Sequence, residues 1–161
     1  MRRKEREVTE RSEIVKILDA CKIVRIAMID NGRPYLVPLN YGYRFDEGEL
    51  TLTFHSAKSG RKIDILTSNP HVCFEMDCDH ALIEGNVACD FGFAFSSIIG
   101  TGNVTFLSHT ADKREALLLL MKTQTGRDDF MFSEKHVDAV TVFQIVTRDF
   151  SAKHNDRSTQ G

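Results

Sequence analysis

Three groups of residues in this 161-residue chain carry side chains able to do chemistry. The first is a pair of adjacent cations, Arg61 and Lys62, in the stretch TFHSAKSGRKIDILTSNP from Thr53 to Pro70. The stretch reads as a strand, a turn and a short helix. Ser59 can cap that helix, which puts Gly60, Arg61 and Lys62 in its first turn. A helix N-terminus carries partial positive charge and favours acidic side chains, so two cations there oppose the macrodipole. A phosphate would resolve the conflict, because free N–H groups, the dipole and both side chains would converge on one dianion. Gly60 would let the anion approach the backbone. A conflict of this kind is worth only about 0.3–1 kcal/mol, so a solvated pair of charges on a surface helix is the other reading.

The second group is His55 and Ser56, at the strand exit just before the turn. Alternation places His55 with Thr51 and Thr53, away from Leu50, Leu52 and Phe54. A histidine there can donate a proton or orient a substrate; a hydrogen-bonded structural histidine is the duller alternative. The third group is His71, Cys73, Asp77, Cys78, His80 and Cys89. Its cysteine spacing, C-x4-C-x10-C, matches no standard zinc pattern, so cysteines packed on strand faces are the better account and no metal site is expected. The motifs G-x-S-x-G, H-E-x-x-H and G-x-x-x-x-G-K-[ST] do not occur.

These residues need a frame. Thr9 can cap a helix whose apolar positions Ile14, Ile17, Leu18 and Cys21 share one face. CKIVRIAMID is strand-like and closes in the hairpin turn DNGRP. YLVPLNYGYRF is the return strand, with Pro38 arguing for an edge or a bulge. ELTLTFHS and HVCFEMDC alternate, the second with Val72, Phe74 and Met76 on one face. ALIEGNVACDFGFAF is expected to be an irregular or partly helical connection, and SSIIGTGNVTFL a strand bent at its two glycines. Thr110 reads as the cap of a helix with core stripe Leu117, Leu120 and Met121, stopped by Gly126. AVTVFQIVTRDFSAK is the last long strand. Residues 154–161 are expected to be a disordered tail, leaving 1–153 as one domain. About six strands with regular turns and few helices predict a closed antiparallel barrel.

Composition narrows the partners. The formal net charge is −2, which argues against a generally basic nucleic-acid surface. No apolar run approaches the roughly 20 residues of a membrane span, and MRRKEREVTERSE lacks the apolar centre of a secretory signal. With four cysteines, the expectation is free thiols in a reducing cytoplasm. The short basic cluster RRKER, interrupted by glutamates, reads as a solvated helix lead-in.

In order, PYLVPLNYGY, FHSAKSGRKIDIL, NPHVCFE, ACD and FSSIIGTGNVTFL resemble the pyridoxamine 5'-phosphate oxidase-like split barrels, an FMN-binding superfamily. More closely, the set is similar to the Nim, or 5-nitroimidazole-resistance, branch. The resemblance implies a mainly β fold, a six-stranded antiparallel Greek-key split barrel with a few flanking helices. It also implies a homodimer with FMN in a groove between the chains. Arg61 and Lys62 match the phosphate contacts, with Ser56 or His55 from the preceding strand. Val37, Pro38, Leu39 and Asn40 match the strand along the isoalloxazine ring, and Ser97 falls where a polar side chain often meets the flavin. The implied activity is an FMN-dependent oxidoreductase of the nitroreductase type acting on a small molecule, with His55 as the candidate catalytic residue. A non-catalytic flavin- or haem-binding module is the alternative. The second strand lacks the Arg and Lys of the oxidases, so true pyridoxamine-phosphate oxidase activity is not implied. Ala152 replaces a common glycine, and Phe91 stands where a bulkier aromatic is usual; both concern the substrate pocket.

Overall fold

The computed structural model describes residues 3–156. A short strand β1 (Glu7–Val8) precedes helix α1 (Arg11–Ala20). The hairpin β2 (Val24–Asp30) and β3 (Arg33–Leu39) follows, then the hairpin β4 (Gly42–Asp46) and β5 (Glu49–Ser56). Helix α2 (Arg61–Ser68) leads to the long strands β6 (His71–Ile83) and β7 (Gly92–Phe106). Helices α3 (Thr110–Thr125) and α4 (Glu134–Asp138) come next, and strands β8 (Thr141–Thr147) and β9 (Phe150–Asn155) close the order.

The strands form one antiparallel sheet with the path β3-β2-β6-β7-β8-β5-β4, to which β9 adds through β7 and β1 through β9. β3 and β4 are the two ends of this path, yet only Asn40 and Tyr41 separate them. Three Cα–Cα steps of 3.8 Å hold Leu39 and Gly42 within about 11 Å. The sheet must therefore curl until its edges nearly meet. They do not pair, so the barrel is split rather than closed as the strand count alone predicts.

Alternation fills the inside. Val24, Ile26, Met28, Leu50, Leu52, Phe54, Phe74, Met76, Ile98, Phe143 and Ile145 are all essentially inaccessible, and α1 plugs the barrel with Ile14, Ile17 and Leu18. Phe54 stacks on Phe143 at 5.1 Å between centroids. β7 gives its first half to β9 and its second to β8. It changes partner between Gly100 and Asn103, across the two glycines where the sequence reading expects a bend. A Cβ on Gly100 would lie 2.5 Å from the Phe74 ring and 2.8 Å from the Asp149 carbonyl, so no larger residue fits that turn of the sheet.

Several sequence expectations need correction. YLVPLNYGYRF is two strands, broken at Asn40–Tyr41 where the chain crosses the split. AVTVFQIVTRDFSAK is also two strands, broken at Arg148–Asp149. With β1 these give nine strands where six were expected. The expected irregular connection is narrower than ALIEGNVACDFGFAF: β6 runs to Ile83 and β7 starts at Gly92, while 84–91 between them is irregular with one 3-10 turn at Ala88–Asp90, as expected. A register slip between Cys78 and Ala81, with Asp79 at φ 59°, shifts the alternation and hides the strand from its pattern. The last strand reaches Asn155, which is buried and donates to the Phe93 carbonyl; residues 157–161 of the expected tail lie outside the described residues. The helix caps also move by one. Glu10, Gly60 and His109 take the N-cap positions, none with a side-chain cap bond, in place of Thr9, Ser59 and Thr110. Gly126 ends α3 in the left-handed conformation as expected. Among the described residues no helix is long and apolar enough to cross a membrane.

Candidate functional site

The split is where chemistry-bearing residues gather. Pro38, Leu39 and Asn40 at the end of β3, His55 near the end of β5, and Ile23 just before β2 line one hollow of about 300 Å³. That size is at the lower end of the range for small-molecule sites. His55 is exposed there and has no hydrogen-bond partner among the described residues. Thr53, two residues earlier on the same face, is buried and bonded by Gln144, so His55 stands just beyond the covered part of its strand. Ser56 is buried on the opposite face of β5, so the two neighbours cannot serve one ligand from the same side. Val37 and Leu39 are half-buried against the core, and Pro38 is the exposed apolar residue of β3 in the hollow.

The start of α2 lies beside the same β3 edge. The Arg61 guanidinium sits 4.2 Å from the centroid of the Tyr35 ring. Its Nε donates to Asp30 Oδ2 at 2.8 Å, and Nη2 lies 2.8 Å from the same oxygen. Asn31 donates to the other Asp30 oxygen. Part of the electrostatic conflict is therefore answered inside the chain: Asp30, the last residue of β2, sets a carboxylate against Arg61, and the helix carries its own in Asp64 of the first turn. Arg61 is 61% exposed, so this pair contributes at most about 1 kcal/mol. Arginine has five donors, and one is bonded to Asp30, so others remain for a ligand. Lys62 has no partner among the described residues. Gly60, the N-cap, has φ 135° and nothing within 4 Å of where a Cβ would stand, so the approach to the helix start is open. The first amides of α2 receive no side-chain cap, and the open approach leaves them available to an anion. A phosphate thus fits the residues present.

Ser97 does not join these residues. It lies on the outer face of β7, in register with Asp77 of β6 and Lys153 of β9. Three strand spacings separate β7 from β3, roughly 14 Å. Between them an ion network crosses the same outer face: Arg25 holds Glu75 and Asp77, and His80 Nε2 lies 2.6 Å from Asp77. The Arg25 guanidinium holds the Asp77 carboxyl below its usual range despite desolvation, while desolvation raises that of Glu75. The cysteines scatter as their spacing suggests. Cys73 and Cys89 are exposed; Cys21 and Cys78 pack together, where burial pushes the Cys21 thiol up to about 11 and that of Cys78 higher still. Neutral thiols are poor nucleophiles and ligands.

Four contributors were not read from sequence. Asp30 and Tyr35 lie in or next to the hairpin turn, and nothing in their spacing points to Arg61. Lys22 donates to the Asp19 and Thr123 carbonyls. Gln124 donates to the Tyr41 carbonyl and accepts from Asn40. Its signal was present: Leu117, Leu120 and Met121 mark the apolar stripe of α3, and Gln124 continues that stripe one turn on with a polar group.

Residues 10–154 match the family model described as pyridoxamine 5'-phosphate oxidase, and the chain belongs to that family. Within it, the chain is similar to the crystal structure of a candidate 5-nitroimidazole antibiotic resistance protein from Bacteroides thetaiotaomicron. The two share 29% identity and a TM-score of 0.79, over 92% of this chain and 86% of the other. The FAD and heme binding protein from Mycobacterium smegmatis shares the fold at TM-score 0.81 with 15% identity, over 94% of this chain and 74% of that one. The flavocytochrome Anf3 from Azotobacter vinelandii does so at 0.77 with 20% identity, over 99% and 76%. No curated protein sequence matches the chain significantly.

Proposed function

We propose that this chain binds FMN along the β3 edge and passes electrons to a nitro group or another small acceptor. The observation that carries the reading is the meeting of Pro38, Leu39, Asn40 and His55 in one hollow on the strand that also touches Arg61 through Tyr35. Four residue steps along β3 separate Tyr35 from Leu39, roughly 13 Å, a span that suits an elongated ligand with a ring at one end and a phosphate at the other. When bound, FMN supplies a carrier of electron pairs. Lys62 and the remaining donors of Arg61 hold the phosphate. The exposed face at Pro38 supports the ring, and His55 holds a proton beside the acceptor. The family and the nitroimidazole-resistance relative support the same assignment. Four free thiols fit a reducing, cytoplasmic setting. The visible spectrum of the purified protein, with mass analysis of what it releases, tests the cofactor. A haem spectrum, or no chromophore and no uptake of FMN, would reject it.

A second reading, a flavin or haem carrier without turnover, draws on the two structural neighbours named for such cofactors. Histidine replacement separates the two. His55→Ala should leave the melting temperature and the oligomeric state unchanged and lower nitro-group reduction about 10²-fold or more, the usual contribution of a positioned acid. It should also flatten the pH dependence of the rate at saturating FMN. A rate restored by excess FMN would make His55 a cofactor contact only. An unchanged rate and pH profile would return it to a structural role.

We also propose a homodimer. Ile29, Leu36, Ile99 and Val146 are each about half exposed on the sheet's outer surface. A broad hollow of about 900 Å³ runs between Ile29, Cys73, Thr101 and Val146. Apolar side chains gathered on one sheet face support a contact surface there. Ser97, stranded on that outer surface, would then serve the flavin of the other chain. Light scattering should give twice the 18.3 kDa chain mass. A monomer that still binds FMN would remove both the dimer and the role of Ser97.

A further inference from the structure

We infer that Gln124 is a positioning residue that turns the Asn40 side chain so that the hollow presents a hydrogen-bond acceptor, selecting a ligand with a ring N–H. The inference deepens the flavin reading and rests on it. It starts from two backbone carbonyls. Gln124 donates from Nε2 to the Tyr41 carbonyl at 2.7 Å. A carbonyl only accepts, so the end of Gln124 facing Asn40 must be its oxygen. Asn40 Nδ2 lies 3.3 Å from that oxygen and 3.0 Å from the Lys22 carbonyl, a second group that only accepts. Both amide orientations are thereby dictated, since rotating either one would set oxygen against oxygen. Both Nδ2 hydrogens of Asn40 are engaged, and its remaining polar atom is Oδ1.

Asn40 is exposed and lines the hollow with Pro38, Leu39 and His55. Pro38 has no N–H. Asn40 therefore offers that space an acceptor and no donor. The polar edge of an oxidised isoalloxazine is a row of acceptors with one donor, the imide N–H. An acceptor held rigidly by three chain segments recognises that one position and disfavours the rest. The rigidity has a cause: α3 docks its last turn on the β3–β4 crossover, where Tyr43 N also donates to Thr123 Oγ1. Gln124 reaches the ligand only through Asn40.

The test compares FMN with 3-methyl-FMN, which carries a methyl group in place of the imide hydrogen. Dissociation constants are measured by fluorescence quenching for the wild type, Gln124→Leu and Asn40→Leu, with thermal melts as a check on folding. The wild type should prefer FMN about tenfold, the order of one hydrogen bond left unmade. Both variants should stay folded; Gln124→Leu should lower the ratio about threefold, because Asn40 loses one of its two anchors and keeps the Lys22 carbonyl, and Asn40→Leu should bring the ratio to about one. A ratio that survives in Gln124→Leu would overturn the positioning role while leaving flavin binding intact. A wild type that binds both flavins equally would overturn the acceptor assignment. A wild type that binds neither would overturn the flavin reading and this inference together. Should Gln124→Leu fail to fold, Gln124→Met keeps the length of the side chain and loses the oxygen toward Asn40. It should lower the ratio, and an unchanged ratio there would equally overturn the proposal.

Discussion

Replacing Arg61 and Lys62 together by alanine will weaken FMN binding about a hundredfold or more and leave riboflavin binding nearly unchanged. Charge-assisted hydrogen bonds contribute about 1.5–3 kcal/mol each, and 1.4 kcal/mol is tenfold. The two residues should not be equal. Lys62 has no partner among the described residues, so Lys62→Ala removes a ligand contact and little else. Arg61 also neutralises Asp30, so Arg61→Ala leaves a bare carboxylate beside the phosphate position. The arginine variant should therefore lose more affinity than the lysine variant, and adding Asp30→Asn should restore part of the loss. Isothermal titration of FMN and riboflavin against all four proteins decides the matter. Equal FMN affinity in the double variant would end the assignment of the helix start to phosphate.

Gly42→Ala is expected to destabilise the fold and the site at once. A Cβ on Gly42 would lie 2.6 Å from the Leu120 nitrogen and Cα and 2.9 Å from the Leu119 carbonyl carbon. These are backbone atoms of α3, so no side-chain rotation relieves the overlap. The helix must lift from β4 or the crossover must shift. Overpacking of this kind costs about 1–3 kcal/mol, which for a chain of this size lowers the melting temperature by several degrees. The same displacement pulls Thr123 and Gln124 away from Tyr43 and Tyr41. FMN affinity should fall with stability, by about tenfold. A variant that melts as the wild type does and binds FMN normally would show that α3 does not clamp the crossover.

Much of the frame was legible because burial imposes period two on its strands. Leu50, Leu52, Phe54, Val72, Phe74 and Met76 were assigned inward from alternation, and all are buried. Alternation failed where the backbone slips, at Cys78–Ala81, and at Asn40–Tyr41, where one continuous pattern conceals a chain leaving one sheet edge for the other. Local conflict singled out the cations of α2, and position on a polar face singled out His55, because each breaks or decorates a pattern. Asp30, Tyr35, Lys22 and Gln124 were not found, because their roles come from contacts across tens of residues. Gln124 and Tyr41 lie 83 positions apart in sequence. The dictated amide orientation could not have been read from the chain at all, since it depends on which carbonyls face which side chains.

The two-residue crossover has a consequence for how the protein folds. β3 and β4 are neighbours in sequence, but the ladder that joins them runs through β2, β6, β7, β8 and β5. The hairpins β2–β3 and β4–β5 can form early and locally. The hollow between them cannot, because its two walls acquire their spacing only when β8 has docked between β5 and β7. That pairing joins residues about 90 positions apart, such as Thr53 and Gln144, and distant contacts of this kind form slowly. Ligand binding should therefore be the last event in refolding. Bound FMN should slow global unfolding while leaving the early hairpin steps at their ligand-free rates.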